Sequence, residues 1–239
     1  MSEFPATSIE ARPAGAPAPR LFAPVAAIAA TVLSVAGVIA GGVTPAPDAS
    51  VPAIVSYYSV HSGAQKISAT LSSLGALAFL LFAAFFVDAI RVRTASRPWA
   101  ALCFGGAIVL AAGLSVLAGI SVVLGGSIER ISGSASQAIN VFGVVDVFVV
   151  TLGTSAFMLG AGAATLVAGD LPRWLGWTAL SLGVIAAVPS HVLGGVLDHI
   201  GFAPFIGLLV WIVAAGILIG RRLPVEPRED PDRRSPGPP

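Results

Sequence analysis

Residues 98–128 read PWAALCFGGAIVLAAGLSVLAGISVVLGGSI and contain no Asp, Glu, Lys or Arg. An α-helix rises about 1.5 Å per residue, so roughly 20 apolar residues cross about 30 Å of hydrocarbon. This stretch is longer than that requirement. Five further uncharged stretches occur along the chain, at 21–47, 67–87, 147–169, 174–197 and 199–220. The pattern predicts several membrane-spanning segments.

The overall composition supports the same class of protein. The chain has 239 residues, of which 56% are hydrophobic and 10% are charged. Soluble domains carry about 25% charged residues, so an ordinary water-soluble globule is excluded. The formal net charge of +1 gives no indication of a nucleic-acid partner. We therefore expect the lipid bilayer to be the main partner of this chain.

Backbone polar groups in lipid must bond internally, and the apolar runs do not alternate as barrel strands would. We therefore predict an all-α polytopic transmembrane bundle of six spans within residues 20–222. Gly194-Gly195 and the segment from Gly201 to Pro204 supply a turn between the last two spans. The Pro-rich tails, 1–19 and 223–239, are expected to be disordered. The predicted spans are about 21–41, 68–90, 99–124, 140–168, 174–196 and 203–220.

Basic residues decide the predicted orientation. With the N-terminus inside, the inner side holds the arginines of both tails and of the inner loops, whereas the outer side keeps only Lys66 and Arg130. The positive-inside rule then places both termini in the cytoplasm of a multi-pass plasma-membrane protein. Cleavage of residues 1–48 as a signal sequence is the competing interpretation. It is disfavoured because the apolar run is longer than the 7–15 residues of a signal.

The first outer loop contains a predicted short helix. Ser50 can cap it, Pro52 lies in its first turn and Gly63 can end it. Ile54, Tyr57, Tyr58 and His61 then form one apolar-aromatic stripe at helical spacing. This helix is predicted either to rest on the outer bilayer surface or to form a lid over a cavity between the spans.

Two ionisable residues fall inside predicted spans. Asp146 interrupts the fourth span, and His191 lies in the fifth, two residues after Pro189. Ionisable groups within a membrane are costly and tend to face the bundle or a wet cavity. Asp146, Gly153 and Gly160 lie seven residues apart, which places the acid near a small-residue face of its helix.

Two interpretations of this acid follow. In one, Asp146 and His191 form a pair and, with Tyr57 and Tyr58, a speculative polar binding site in the outer leaflet. In the other, Asp146 is an outer interfacial residue, because a helix extending back from Asp170 would place it about 36 Å away, beyond a core of about 30 Å.

Motifs for catalysis, metals and cofactors do not occur. The sequence has no GxxxxGK[ST] loop, no HExxH helix and no GxSxG elbow. A single cysteine, Cys103, provides neither an intramolecular disulfide nor a CxxC metal site. We therefore predict no catalytic residues, no metal and no cofactor.

Two segments carry a family resemblance. One is 48–65, DASVPAIVSYYSVHSGAQ, and the other is 171–177, LPRWLGW. In these segments and in its layout the chain resembles an uncharacterised actinobacterial six-span integral membrane protein family. The resemblance implies a six-helix bundle in the plasma membrane. It carries over no catalytic residues.

Two functions are consistent with this sequence. The first is a non-enzymatic accessory subunit or homo-oligomer, because small-residue helix faces permit close association within or between chains. The alternative is a small-solute or proton transporter that uses the outer-leaflet polar site.

Overall fold

The computed structural model describes residues 22–90, 94–188 and 203–222. Both predicted disordered tails, His191 and the end of the predicted fifth span lie outside the described residues. The described residues form helices, with no strand among them. The seven helices are α1 Phe22–Gly41, α2 Val51–Val60, α3 Ser62–Ile90, α4 Arg97–Ser127, α5 Gly133–Ala168, α6 Arg173–Ala187 and α7 Ala203–Arg222.

Five of these helices, α1, α3, α4, α5 and α7, are long and apolar enough to cross a membrane. The predicted all-α architecture is therefore confirmed in the described residues, and it is that of a multi-pass membrane protein. Helix α6 corresponds to the predicted span 174–196, of which the structure describes residues up to Val188. Six crossings and cytoplasmic termini stay predictions.

The long helices and α6 pack as a ring in the order α1, α3, α4, α5, α6, α7 and back to α1. Consecutive members of the ring run antiparallel. Polar contacts connect some of these neighbours. The Thr31 hydroxyl of α1 lies 3.0 Å from the Ala27 carbonyl of its own helix and 3.3 Å from the Leu209 carbonyl of α7. The indole Nε1 of Trp211 in α7 donates to the Leu175 carbonyl of α6 at 2.8 Å. Such bonds join neighbouring helices where lipid offers no alternative partner.

Small residues bring α4 and α5 into backbone contact. Gly106 lies against the backbone of Phe157, Gly153 against Leu110, and Gly160 against Cys103, so none of the three leaves room for a Cβ. The predicted seven-residue spacing of Gly153 and Gly160 therefore marks the face of α5 that meets α4. Close packing of this kind is one of the interactions that hold helices together in lipid, where hydrophobic burial gives little.

The interior of the ring differs between its two ends. Towards the end of α3 that contains Ile90, an aromatic cluster fills the centre, with ring centroids 4.9–6.5 Å apart. Its members are Phe79, Phe82, Phe86, Phe157 and Trp211. Towards the other end, which carries α2 and is here named the α2 end, Ser and Thr side chains replace the aromatic rings.

At the α2 end the helices are longer than the predicted spans. Helix α3 begins at Ser62 rather than 68, and α5 begins at Gly133 rather than 140. Ser132 caps α5 by accepting a hydrogen bond from the Ala135 amide at 3.3 Å. Helix α2 ends at Val60, and only His61 separates it from α3. The prediction that Gly63 ends α2 is therefore wrong, because Gly63 lies in the first turn of α3.

Candidate functional site

A cavity of about 200 Å³ lies inside the ring at the α2 end. It is bounded by α1, α3, α4, α5 and α7, and no charged side chain of the described residues lines it. Its apolar wall includes Val38, Leu117, Val150 and Phe205. A cavity of 150 Å³ is large enough to hold benzene, so this space accommodates a molecule of about that size or slightly larger.

Five hydroxyl groups interrupt the apolar wall. They belong to Ser68 and Ser72 on α3, to Ser121 on α4, and to Thr151 and Thr154 on α5. An apolar pocket with a few placed polar groups is the usual form of a small-molecule site. The cavity therefore has the composition of a site for a small uncharged ligand that carries a polar group.

The hydroxyls divide into two groups by their bonding. Ser68 donates to the Gly37 carbonyl at 2.7 Å, Thr151 to the Phe148 carbonyl at 2.9 Å, and Thr154 to the Val150 carbonyl at 2.8 Å. Since a hydroxyl has one hydrogen, these three offer a ligand only acceptor lone pairs. Ser72 and Ser121 make no hydrogen bond with the rest of the described chain, so their hydroxyls can donate or accept.

Tyr57 of α2 and Gln65 of α3 both form hydrogen bonds with the end of α1. The Tyr57 hydroxyl donates to the Gly41 carbonyl at 3.0 Å, and Gln65 Nε2 donates to the same carbonyl at 2.8 Å. Gln65 Nε2 also lies 3.3 Å from the Tyr57 oxygen. The Tyr57 ring stacks on His61 with centroids 4.5 Å apart. These bonds hold the chain reversal between α1 and α3.

Tyr58 packs on the protein rather than on lipid. It is 3% exposed and belongs to an apolar cluster with Ile54, Leu124 and Ile128. Burial, with a smaller contribution from the neighbouring Tyr57, raises the pKa of Tyr58 from 10.0 to about 12. Helix α2 therefore buries Ile54 and Tyr58 of its stripe against α4, α5 and the loop between them, which differs from the expected bilayer-surface helix. No α2 residue lines the cavity, so the structure does not show a lid over it either.

Asp146 lies on the face of α5 that meets α4. It is 5% exposed, and its Oδ2 atom has no hydrogen-bond partner among the described residues. Val150, one turn further along, packs beside Gly113 of α4 and lines the cavity. The α5 helix starts at Gly133, so Asp146 is about 20 Å from that start at 1.5 Å per residue.

The four predicted site residues are thus placed separately. Among the described residues, no hydrogen bond joins Asp146 to Tyr57 or Tyr58, and neither tyrosine lines the cavity. His191 lies outside the described residues, so its pairing with Asp146 stays a prediction. The serine and threonine hydroxyls that line the cavity were not singled out from the sequence. The spacing of Ser68 and Ser72, one helical turn apart, is the signal that marks them.

No family model matches this chain, and no curated protein or solved structure is similar enough to count as a match.

Proposed function

We propose that this chain is a non-enzymatic integral membrane protein that binds a small, uncharged, mainly apolar molecule in the cavity at the α2 end. The observation that carries the proposal is a cavity of about 200 Å³ with five hydroxyls in an apolar wall. Movement of such a solute, as in a small-solute transporter, is the biological role that we propose for this binding.

The lining argues for an uncharged ligand. Moving an ion into an apolar site without a charged partner costs several kcal/mol or more. A ligand hydroxyl or amide can instead donate to the lone pairs of Ser68, Thr151 and Thr154. Ser72 and Ser121 can donate a hydrogen bond to an acceptor atom of the ligand. A monocyclic alcohol satisfies both the size and the hydrogen-bonding pattern.

Binding can be measured by fluorine NMR on the full chain in lipid nanodiscs, with empty nanodiscs as the blank. We expect para-fluorobenzyl alcohol to bind more tightly than para-fluorotoluene, which lacks the hydroxyl, and para-fluorobenzoate not to bind. Thr154→Val keeps the side-chain shape, and it should weaken binding of the alcohol about five-fold, the effect of one hydrogen bond. It should leave para-fluorotoluene unchanged.

A matched pair of variants on α4 tests the location. Ala118 lines the cavity, so Ala118→Phe should fill it and reduce binding of the alcohol at least ten-fold. Ala101 is exposed on the same helix, so Ala101→Phe should bind as the unchanged protein does. Binding that survives Ala118→Phe, or that equals partition into empty nanodiscs, would reject the proposal.

An oligomeric or accessory role is the second candidate, and the outer face of α4 favours it. Gly105, Ala112 and Gly119 lie seven residues apart on this exposed face, and a Cβ at either glycine would meet no neighbour within 4 Å. Small residues on an open helix face permit close approach of another membrane helix. Crosslinking in native membranes that yields monomer alone would contradict this role.

We also propose that the chain belongs to the actinobacterial six-span family, that it lies in the plasma membrane and that its termini are cytoplasmic. The support for these points is the pattern of arginines and the two sequence segments, 48–65 and 171–177.

A further inference from the structure

The surface of α5 around Asp146 is apolar. Phe142 and Val145, one turn and one residue before it, are 55% and 59% exposed. Val149 and Leu152 beyond it are also exposed apolar residues. Exposed apolar side chains on both sides of Asp146 favour a position of the carboxyl group within the hydrocarbon region over one at the headgroups.

The carboxyl group faces α4 rather than lipid. Val150 packs beside Gly113 of α4, and Gly143 packs near Ile120. Asp146 falls between these two contacts along α5. Its side chain is 5% exposed, and Oδ2 is enclosed without a hydrogen-bond partner in the described part of the chain.

The described groups at the α2 end do not supply a charge partner. Tyr57 donates to the Gly41 carbonyl, Tyr58 packs against Leu124 and Ile128, and His61 Nδ1 bonds the Tyr57 carbonyl at 2.9 Å. Lys66 is exposed, and its aliphatic chain lies near Gly126. Glu129 and Arg130 are exposed in the loop after α4.

Among the described residues, the remaining elements that pack on α5 carry their titratable groups far from Asp146. His191 and His199 lie outside the described residues. On α4, Cys103 lies beside Gly160, fourteen residues or about 21 Å along α5 from Asp146. Arg97, Asp88, Arg173 and Arg221 lie at the helix ends opposite the α2 end. Asp146 is therefore a buried acid with no described cation near it.

From this geometry we infer that Asp146 is a proton-binding site, and that its carboxyl group is protonated in the folded protein at neutral pH. A buried carboxylate with neither a cation nor donors is far more costly than the neutral acid. The proton is the ligand, and Oδ2 or its partner oxygen is the atom that holds it. This inference does not depend on the solute proposed for the cavity.

Infrared spectroscopy of the full chain in ether-linked lipids, which have no ester carbonyl, tests the inference. At pH 7 an exposed carboxyl group with the ordinary pKa near 4 is ionised. We expect the wild type to show the carbonyl band of a protonated carboxylic acid, which Asp146→Asn abolishes. Asp88→Asn is the matched control, because Asp88 is exposed at the opposite end of the bundle, and the band should persist in it.

Chemical labelling of the wild type provides a second measurement that needs no variant. Dicyclohexylcarbodiimide, which partitions into lipid, adds to a protonated carboxyl group and leaves an N-acylurea that mass spectrometry locates. We expect labelling of Asp146 at pH 7 and its loss as the pH is raised, with no labelling by a water-soluble carbodiimide. Absence of the acid band at pH 7, its persistence in Asp146→Asn, or absence of the adduct on Asp146 would overturn the inference. Solute binding with no acid band would reject this inference alone.

Discussion

At the scale of single residues, two adjacent glycines of α4 have opposite surroundings. A Cβ on Gly106 would lie 2.7 Å from the carbonyl carbon of Ala156 and 2.8 Å from the Cα atom of Phe157. A Cβ on Gly105 would meet nothing within 4 Å. The same residue type thus serves close helix packing at one position and leaves an open surface at the next.

We expect Gly106→Ala to destabilise the protein and Gly105→Ala to leave it unchanged or slightly more stable. Overpacking against a rigid backbone costs about 1–3 kcal/mol, whereas Ala is favoured over Gly in an open helix by up to about 1 kcal/mol. Equilibrium unfolding in detergent measures both effects. Equal stability of the two variants would show that α4 and α5 are not in backbone contact at this position.

The hydroxyl groups show how much of the candidate site can be predicted from residues alone. Ser68 and Ser72 share one face of α3, which the helical period predicts. That this face meets Ser121 of α4 and Thr154 of α5 depends on the order of helices in the ring, which no residue pattern encodes directly. Asp146 is comparable. Its presence in an apolar run predicts that an ionisable group lies where a charge is costly. Its burial against α4 follows from how α5 is aligned along α4, which the sequence does not show.

At the scale of elements, α2 shows the largest difference between expectation and structure. Its stripe of apolar and aromatic residues predicts an amphipathic helix correctly, but periodicity does not tell whether lipid or protein covers the stripe. The extension of α3 and α5 beyond the predicted spans supplies a protein surface at the α2 end. Ile54 and Tyr58 are buried because that surface covers them.

The docking of α2 predicts the titration of Tyr58. The chain contains two tyrosines, so Tyr57→Phe leaves Tyr58 as the sole phenol. We expect the pKa of Tyr58 in this folded variant to lie well above 10. It should be slightly below the value of about 12 in the unchanged protein, because the smaller contribution of Tyr57 is lost. Ultraviolet absorbance of the phenolate measures this value.

The same shift determines a pH dependence of stability. Below pH 10 the phenol is neutral in both the folded and the unfolded chain, so the contribution of Tyr58 is fully present. Between pH 10 and about 12 only the unfolded chain loses the proton, so stability should fall as the pH rises through this interval. A titration midpoint at 10 would show that α2 is not docked.

At the scale of the whole molecule, the antiparallel ring explains why a cavity and an aromatic core coexist. Five helices of the ring converge on one interior. Large rings of Phe and Trp fill the half that contains Phe82, whereas small Ser and Ala side chains leave space in the other half. The solute cavity and the buried acid both belong to the less densely filled half.

The predicted six crossings can be tested with cysteines introduced in a Cys103→Ala background. A membrane-impermeant maleimide added to intact cells should label Ser50→Cys, which precedes α2, and should not label Asp170→Cys, which follows α5. Three long helices separate these positions, so we expect them to lie on opposite sides. Ser235→Cys, after α7, should remain unlabelled if α6 also crosses. Labelling of Ser235→Cys would indicate an odd number of crossings.

The sequence by itself determined the class of protein, the helical state and the approximate position of each apolar helix. These properties follow from the length of uncharged runs, because backbone groups in lipid leave few alternatives to a helix. The tertiary structure alone decided which small-residue faces meet, where α2 docks and which hydroxyls line the cavity. It also decided that Asp146 is buried against α4. Those outcomes depend on packing between segments that are far apart in the chain. A local residue pattern shows that a helix face is apolar or small, but it does not show which other helix packs against that face.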